Sequence, residues 1–177
     1  MKTKFNQSKI KLAVVSAIVA GSMGLSATSY AGTASSNMAV QTTVAMACTI
    51  SAGALTFTSY DPTSSADSDA TAAISSTCTA GGAAKITMSE GAAPITGSTT
   101  AVPKRAMKTA GETPQTLAYH LYRDTDRTTV WGNTADTGEG VTGTGSAVTT
   151  TVYGRIPKSQ VVGAGTFADT VAVTVAY

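Results

Sequence analysis

The sequence predicts an all-β domain, a sandwich of antiparallel sheets, from three observations. Several short runs alternate apolar and polar residues with a period of two, which places one face inward and the other outward. Turn signals rich in Gly, Pro, Asn and Asp separate those runs. Two cysteines, Cys48 and Cys78, follow what reads as an export signal, and such a pair in an exported chain is most simply a disulfide. No stretch carries a convincing helical period, and no internal repeat is visible.

The elements follow in chain order. Lys2, Lys4, Lys9 and Lys11 precede an apolar stretch from Leu12 to about Leu25, and Ser29-Tyr30-Ala31 supplies small residues three and one before a cut. This is the layout of a secretory signal peptide over residues 1–31. Its uninterrupted apolar run is far below the roughly 20 residues that span a bilayer. Four lysines leave with it. The remaining eight bases face ten acids, so the whole-chain net charge of +2 becomes −2. With no basic patch left, nucleic acid is not expected as a partner.

Residues 32–46 form a second segment. Met38, Val40, Thr42, Val44 and Met46 alternate with smaller or more polar residues, as in a strand, and Cys48-Thr49-Ile50 continues the pattern. Residues 47–177 make one domain. Leu55-Thr56-Phe57 starts a further short strand. Tyr60-Asp61-Pro62 and the stretch to about Ala72 read as a loop. Residues 73–78 bring Cys78 toward Cys48. Lys85–Met88, Arg105–Lys108, Leu117–Arg123, Thr129–Trp131 and Val148–Ile156 are the next strands. Residues 134–146, rich in Gly and Thr, read as a surface loop. The final run, Thr170–Tyr177, alternates strictly, with Val171, Val173 and Val175 on one side.

Two regular strands therefore stand at the extremes of the chain, and the last has no successor to pair with. This organisation fits a sandwich short of its final strand, with an apolar acceptor groove at Val171, Val173 and Val175. Such an edge is a hazard unless filled. A strand from a neighbouring copy can fill it, with Met38, Val40, Thr42 and Val44 entering the groove. Periodicity alone leaves open the alternative that this strand pairs within its own sheet.

The chain resembles the spore coat protein U domain, and more specifically the major pilins of archaic chaperone–usher pili. The resemblance rests on Tyr60-Asp61-Pro62, Cys78-Thr79, Ser89-Glu90-Gly91, Arg105-Ala106-Met107, the run Leu117–Asp124 and Trp131-Gly132. It continues through Val152–Pro157 and Ala164–Thr170 to the terminal valine ladder. These motifs occur in order across nearly all of the mature chain. Phe57-Thr58-Ser59, where the family usually has Phe-Gly, and Phe167, where it often has Tyr, depart locally. The resemblance implies an incomplete immunoglobulin-like fold completed by donor-strand exchange. It also implies a periplasmic chaperone, an outer-membrane usher, identical or related pilin subunits as partners, and a surface pilus serving adhesion and biofilm formation. The family's tip adhesins look like two-domain chains about twice this length, so a single-domain shaft subunit is the expectation.

No catalytic constellation assembles from the residues, and neither a cofactor nor a metal is expected. His120, the single histidine, could join Asp124 or Asp126 in a Ser-His-Asp site only formally. Asp124 and Asp126 lack the glycine and distal glutamate of a calcium loop and read as a turn. Asp67 and Asp69 read as surface loop. Gly81-Gly82 and Gly138-Glu139-Gly140 open no helix and so cradle no phosphate. Trp131 reads as core rather than as a sugar-stacking surface. Arg123 and Arg155 are expected in exposed bridges to Asp124 or Asp169. A secreted monomeric module binding carbohydrate or a surface is the alternative from another class, and an exported hydrolase is the weaker third.

Overall fold

The structure is a computed structural model that describes residues 31–177. The secretory leader expected over residues 1–31 lies outside them but for its last residue. The chain divides at Gln41 into two units, and the strands among the described residues belong to the second, Thr42–Tyr177.

Among the described residues nine strands form in chain order: β1 (Cys48–Ala52), β2 (Ser68–Cys78), β3 (Ala83–Met88), β4 (Arg105–Thr109) and β5 (Thr116–Tyr122). They are followed by β6 (Glu139–Thr142), β7 (Ala147–Ile156), β8 (Phe167–Ala168) and β9 (Val173–Ala176). A six-stranded sheet has the order β1-β2-β7-β5-β4-β8, and a three-stranded sheet the order β6-β3-β9. The strand pairs are all antiparallel. The expected all-β sandwich is thus the fold.

Alternation builds the core. Ile74, Ser76 and Cys78 of β2, Leu117, Tyr119 and Leu121 of β5, and Val152 and Ile156 of β7 are buried, while their sequence neighbours are more exposed. Ile86 and Met88 of β3 meet them from the other sheet. Trp131 is fully buried, in agreement with its reading as core. Its indole N–H donates to the Ile86 carbonyl at 2.9 Å, which satisfies the one polar atom that burial would otherwise penalise.

Arg105 is the unexpected core residue, at 0 % exposure. Its guanidinium donates to the carbonyls of Ser89 (2.8 Å), Met88 (3.0 Å) and Trp131 (2.9 Å). Burial pulls its pKa down to about 10 despite the nearby negative groups. It therefore stays charged at neutral pH and acts as a fork that fastens the carbonyls of Met88 and Ser89, at the end of β3, to that of Trp131.

Several local expectations require correction. Residues 139–142 form β6 inside the Gly/Thr-rich stretch read as loop. Gly140 stands opposite Lys85 on β3, and the small side chains there suit a close strand pairing. Strand β2 begins at Ser68, five residues before the expected start, because its polar half pairs with β7 across its length. Asp69 faces Arg155 across that pair and receives two hydrogen bonds from it, at 2.8 and 2.9 Å. Arg155 thus pairs with Asp69, and with Asp67 at 3.4 Å, instead of with Asp124 or Asp169. Arg123 reaches Glu139 at 3.7 Å. Thr129–Trp131 makes only an isolated bridge, Val130 to Tyr122. Residues 55–57 and 31–47 form no strand. A period of two describes an extended chain, but a strand also needs a neighbour to bond to.

Cys48 and Cys78 are bonded and stand directly opposite each other in the β1–β2 pair. The bond closes a loop of sequence separation 30, for which the chain-entropy account gives about 3 to 4 kcal/mol. Replacing both cysteines with alanine should lower the unfolding free energy by that amount. Urea titration of the two forms measures it.

Asp124 organises the β5–β6 connection. Its carboxylate accepts from Thr128 N (2.9 Å), Thr128 Oγ1 (2.8 Å) and Thr129 N (2.7 Å). These bonds, foremost that from the Thr128 backbone, hold its pKa at about 2, below the usual 3.8. A depressed folded pKa stabilises the turn above the unfolded value, and this contribution is lost as pH falls from about 4 toward 2. An NMR titration of the carboxyl carbon should give a midpoint near 2, and Thr128→Ala should move it upward.

Candidate functional site: an apolar cleft in the sandwich

The core is not closed on all sides. A cleft of about 870 Å³ lies between the irregular segment that follows β1 and the segment running from residue 162 to Val173. Buried core side chains, among them Ile74, Met88, Leu117, Leu121 and Val152, line its base. Leu55 and Phe57 project from the first segment, and Phe167, Val171 and Val173 from the second. All five are half-buried, packed on the core yet open to solvent. Met107 and Ile156 add further apolar surface, and Asp169 is the sole charged residue of the lining.

Local chemistry keeps these walls apart. Gly154 sits in the middle of β7, and a Cβ there would come within 2.9 Å of Leu55 and Phe57. The missing side chain lets the first wall lie against the sheet. Tyr60 anchors that wall at its far end, donating to the Pro157 carbonyl (3.2 Å) and accepting from Gln160 N (2.9 Å). On the second wall, Asp169 accepts from the Tyr119 hydroxyl (2.6 Å), Ala92 N (2.8 Å) and Thr170 N (2.8 Å). Burial, then the bond to Asp169, pushes the Tyr119 hydroxyl's pKa up, so it remains a donor at any physiological pH. Gly91 has φ +83°, and a Cβ on it would collide with the Asp169 carboxylate.

The rim has unpaired strand edges. Among the described residues, strand β8 bonds only to β4, and β9 only to β3. Residues 169–171 between them take no strand pairing. Backbone donors and acceptors therefore lie beside an apolar trough, the arrangement that an added strand satisfies.

Of the residues the sequence singles out for the groove, Val171 and Val173 line this cleft. Val175 lies outside its lining, packed on the core and paired with Ile86 across β3–β9. Sequence reasoning did not find Leu55, Phe57, Phe167 or Asp169 as groove residues. For Phe167 and Asp169 the signal exists, because the odd-numbered side chains from 167 to 175 are half-buried and the even-numbered ones exposed. Met38, Val40 and Val44 are exposed at 87, 86 and 78 %. His120 is half-buried, its ring 6.0 Å from that of Tyr122. Burial, then the charge of Arg105, lowers its pKa and so favours the neutral imidazole.

Residues 34–174 match the Spore Coat Protein U domain. The chain belongs to the spore coat protein U domain family. A curated relative, Protein U of Myxococcus xanthus, is 40 % identical over an alignment of 177 positions that covers 95 % of this chain and 98 % of that protein. Among solved structures, the chain is similar to one in the CsuC–CsuE chaperone–tip adhesion subunit pre-assembly complex from archaic chaperone–usher Csu pili of Acinetobacter baumannii. The TM-score is 0.56 and the identity 19 %, over 76 % of this chain and 40 % of that one. The likeness at this identity is one of fold, and the chain spans well under half of that neighbour's length. Membership in the spore coat protein U domain family makes the chain a structural protein and not an enzyme.

Proposed function

We propose that this chain is a structural subunit of a chaperone–usher type of surface pilus, and that it polymerises by donor-strand complementation. Residues 32–46 of one copy act as the donor segment, and Met38, Val40, Thr42 and Val44 enter the cleft of the next. The observation that carries this reading is the pairing of an open apolar cleft of about 870 Å³ with an exposed alternating apolar segment. Each is unfavourable alone, and each is of the kind the other would cover.

In this reading a periplasmic chaperone covers the cleft first, and an outer-membrane usher passes the subunit to the cell surface. Fold similarity to a chain in a chaperone–tip subunit complex supports it. A match over 98 % of Protein U, against 40 % of the chain in the tip-subunit complex, supports a shaft subunit over a tip. Adhesion and biofilm formation would be properties of the assembled fibre.

Co-expression with the neighbouring chaperone and usher genes tests the proposal. Fibres recovered from the cell surface and containing this chain are expected. Recovery of soluble monomers alone, with no chaperone complex, would favour a self-contained secreted binding module instead.

A further inference from the structure

Within the strand-exchange reading, on which this inference rests, one feature of the cleft selects a register. Asp169 is the sole charged residue of the lining, placed among Phe167, Val171 and Val173. On the exposed segment, Thr42 is the polar member of the series Met38, Val40, Thr42, Val44. We infer that the inserted segment runs antiparallel to residues 167–173 of the accepting copy, with Thr42 opposite Asp169.

This register sets Met38 opposite Val173, Val40 opposite Val171 and Val44 opposite Phe167. Every apolar side chain meets an apolar neighbour, and the hydroxyl meets the carboxylate. The odd-numbered side chains from 167 to 173 are those turned half inward, so opposed residues share a face. Sliding the segment by two residues either way puts Val44 or Val40 against the carboxylate and Thr42 against a valine or phenylalanine. Either slip buries a charged oxygen beside a methyl group, which is strongly unfavourable. Asp169 Oδ1 is occupied by two backbone N–H groups, whereas Oδ2 accepts only the Tyr119 hydroxyl. A lone pair on Oδ2 is therefore left for the threonine hydroxyl. The parallel orientation that also joins Thr42 to Asp169 sets the exposed Met38 opposite Gly165, with no side chain to pack on, whereas the antiparallel one sets there Met46, which already packs beside Gly82 of its own copy. Asp169 and Thr42 thus act as positioning residues that pin an otherwise slippery apolar ladder.

Cysteine cross-linking of assembled full-length chains tests the register. Val40→Cys with Val171→Cys should give denaturation-resistant ladders under oxidation, with the bond mapped between copies by mass spectrometry. Val40→Cys with Val173→Cys should give none. Bonding of position 40 to 173 in place of 171 would overturn the register and leave strand exchange standing. Failure of position 40 to bond to any residue from 165 to 175 in assembled fibres, or a bond formed within one chain, would overturn both. As a second readout, Thr42→Val should speed dissociation of copies by about tenfold or more, while Thr42→Ser stays near wild type. Equal dissociation rates for Thr42→Val and wild type would remove the role assigned to Asp169.

Discussion

Trp131→Ala should lower the unfolding free energy of the domain by about 3 to 5 kcal/mol, the range for removing a fully buried aromatic. Two features place it at the upper end. The side chain has no exposed surface, so the cavity cannot drain into solvent. The Ile86 carbonyl, which accepts the indole N–H at 2.9 Å, would lose its partner inside the core. The Trp131 backbone also ties β5 to the Arg105 fork: its N–H donates to Leu121 O at 2.8 Å and its carbonyl accepts from Arg105 at 2.9 Å. A shift of the backbone into the cavity would strain both. For a domain of this size the midpoint of thermal unfolding should fall by about 10 to 20 °C. Differential scanning calorimetry of the chaperone-free chain measures it, with Trp131→Phe expected to recover part of the loss. A change under about 1 kcal/mol would mean that the packing around Trp131 is looser than described.

Deletion of residues 32–44 should abolish assembly while leaving the sandwich folded. The segment forms no strand, and none of its residues belongs to the core cluster of the domain. What it removes is the gain on docking. Burying Met38, Val40 and Val44, now exposed at 87, 86 and 78 %, is worth about 5 to 9 kcal/mol gross at the usual 1.5 to 3 kcal/mol per side chain. Ordering the exposed segment consumes part of this, and the backbone ladder along the unpaired edges of β8 and β9 restores some. In the strand-exchange reading, the remainder sets how tightly copies hold one another. Electron microscopy and sedimentation of the deleted chain should show no fibres, with the disulfide and near-UV circular dichroism unchanged. Binding to a chaperone should persist, because the cleft is intact.

Much of this architecture is legible in the sequence, for identifiable reasons. The runs Leu117–Arg123 and Val148–Ile156 announce β5 and β7, because each buries one face and alternation follows. The cysteine pair announces the β1–β2 contact. What escapes is whatever depends on a partner. Residues 38–47 and 55–57 have strand-like patterns but join no sheet: Ala47 exchanges hydrogen bonds with Thr79 alone, and both runs stay irregular. Glu139–Thr142 has no strand-like pattern, yet it pairs with β3 because a neighbour offers an edge. Arg105 reads as an ordinary strand residue, since its role comes from three carbonyls that only the fold assembles. The alternation marks Asp169 as inward-facing, but its bonding role is hidden for the same reason as that of Arg105: its partners Tyr119 and Ala92 are far away in sequence.

A chain that can accept a strand but cannot donate one should act as a stopper. Mixing the form lacking residues 32–44 with the full-length chain during assembly therefore gives the most direct reading of strand exchange between copies. Mean fibre length, measured by electron microscopy, should fall steadily as the fraction of deleted chain rises, with one deleted copy at the terminated end. Fibre length independent of that fraction, with the deleted chain excluded from fibres, would contradict exchange of this segment between neighbouring copies.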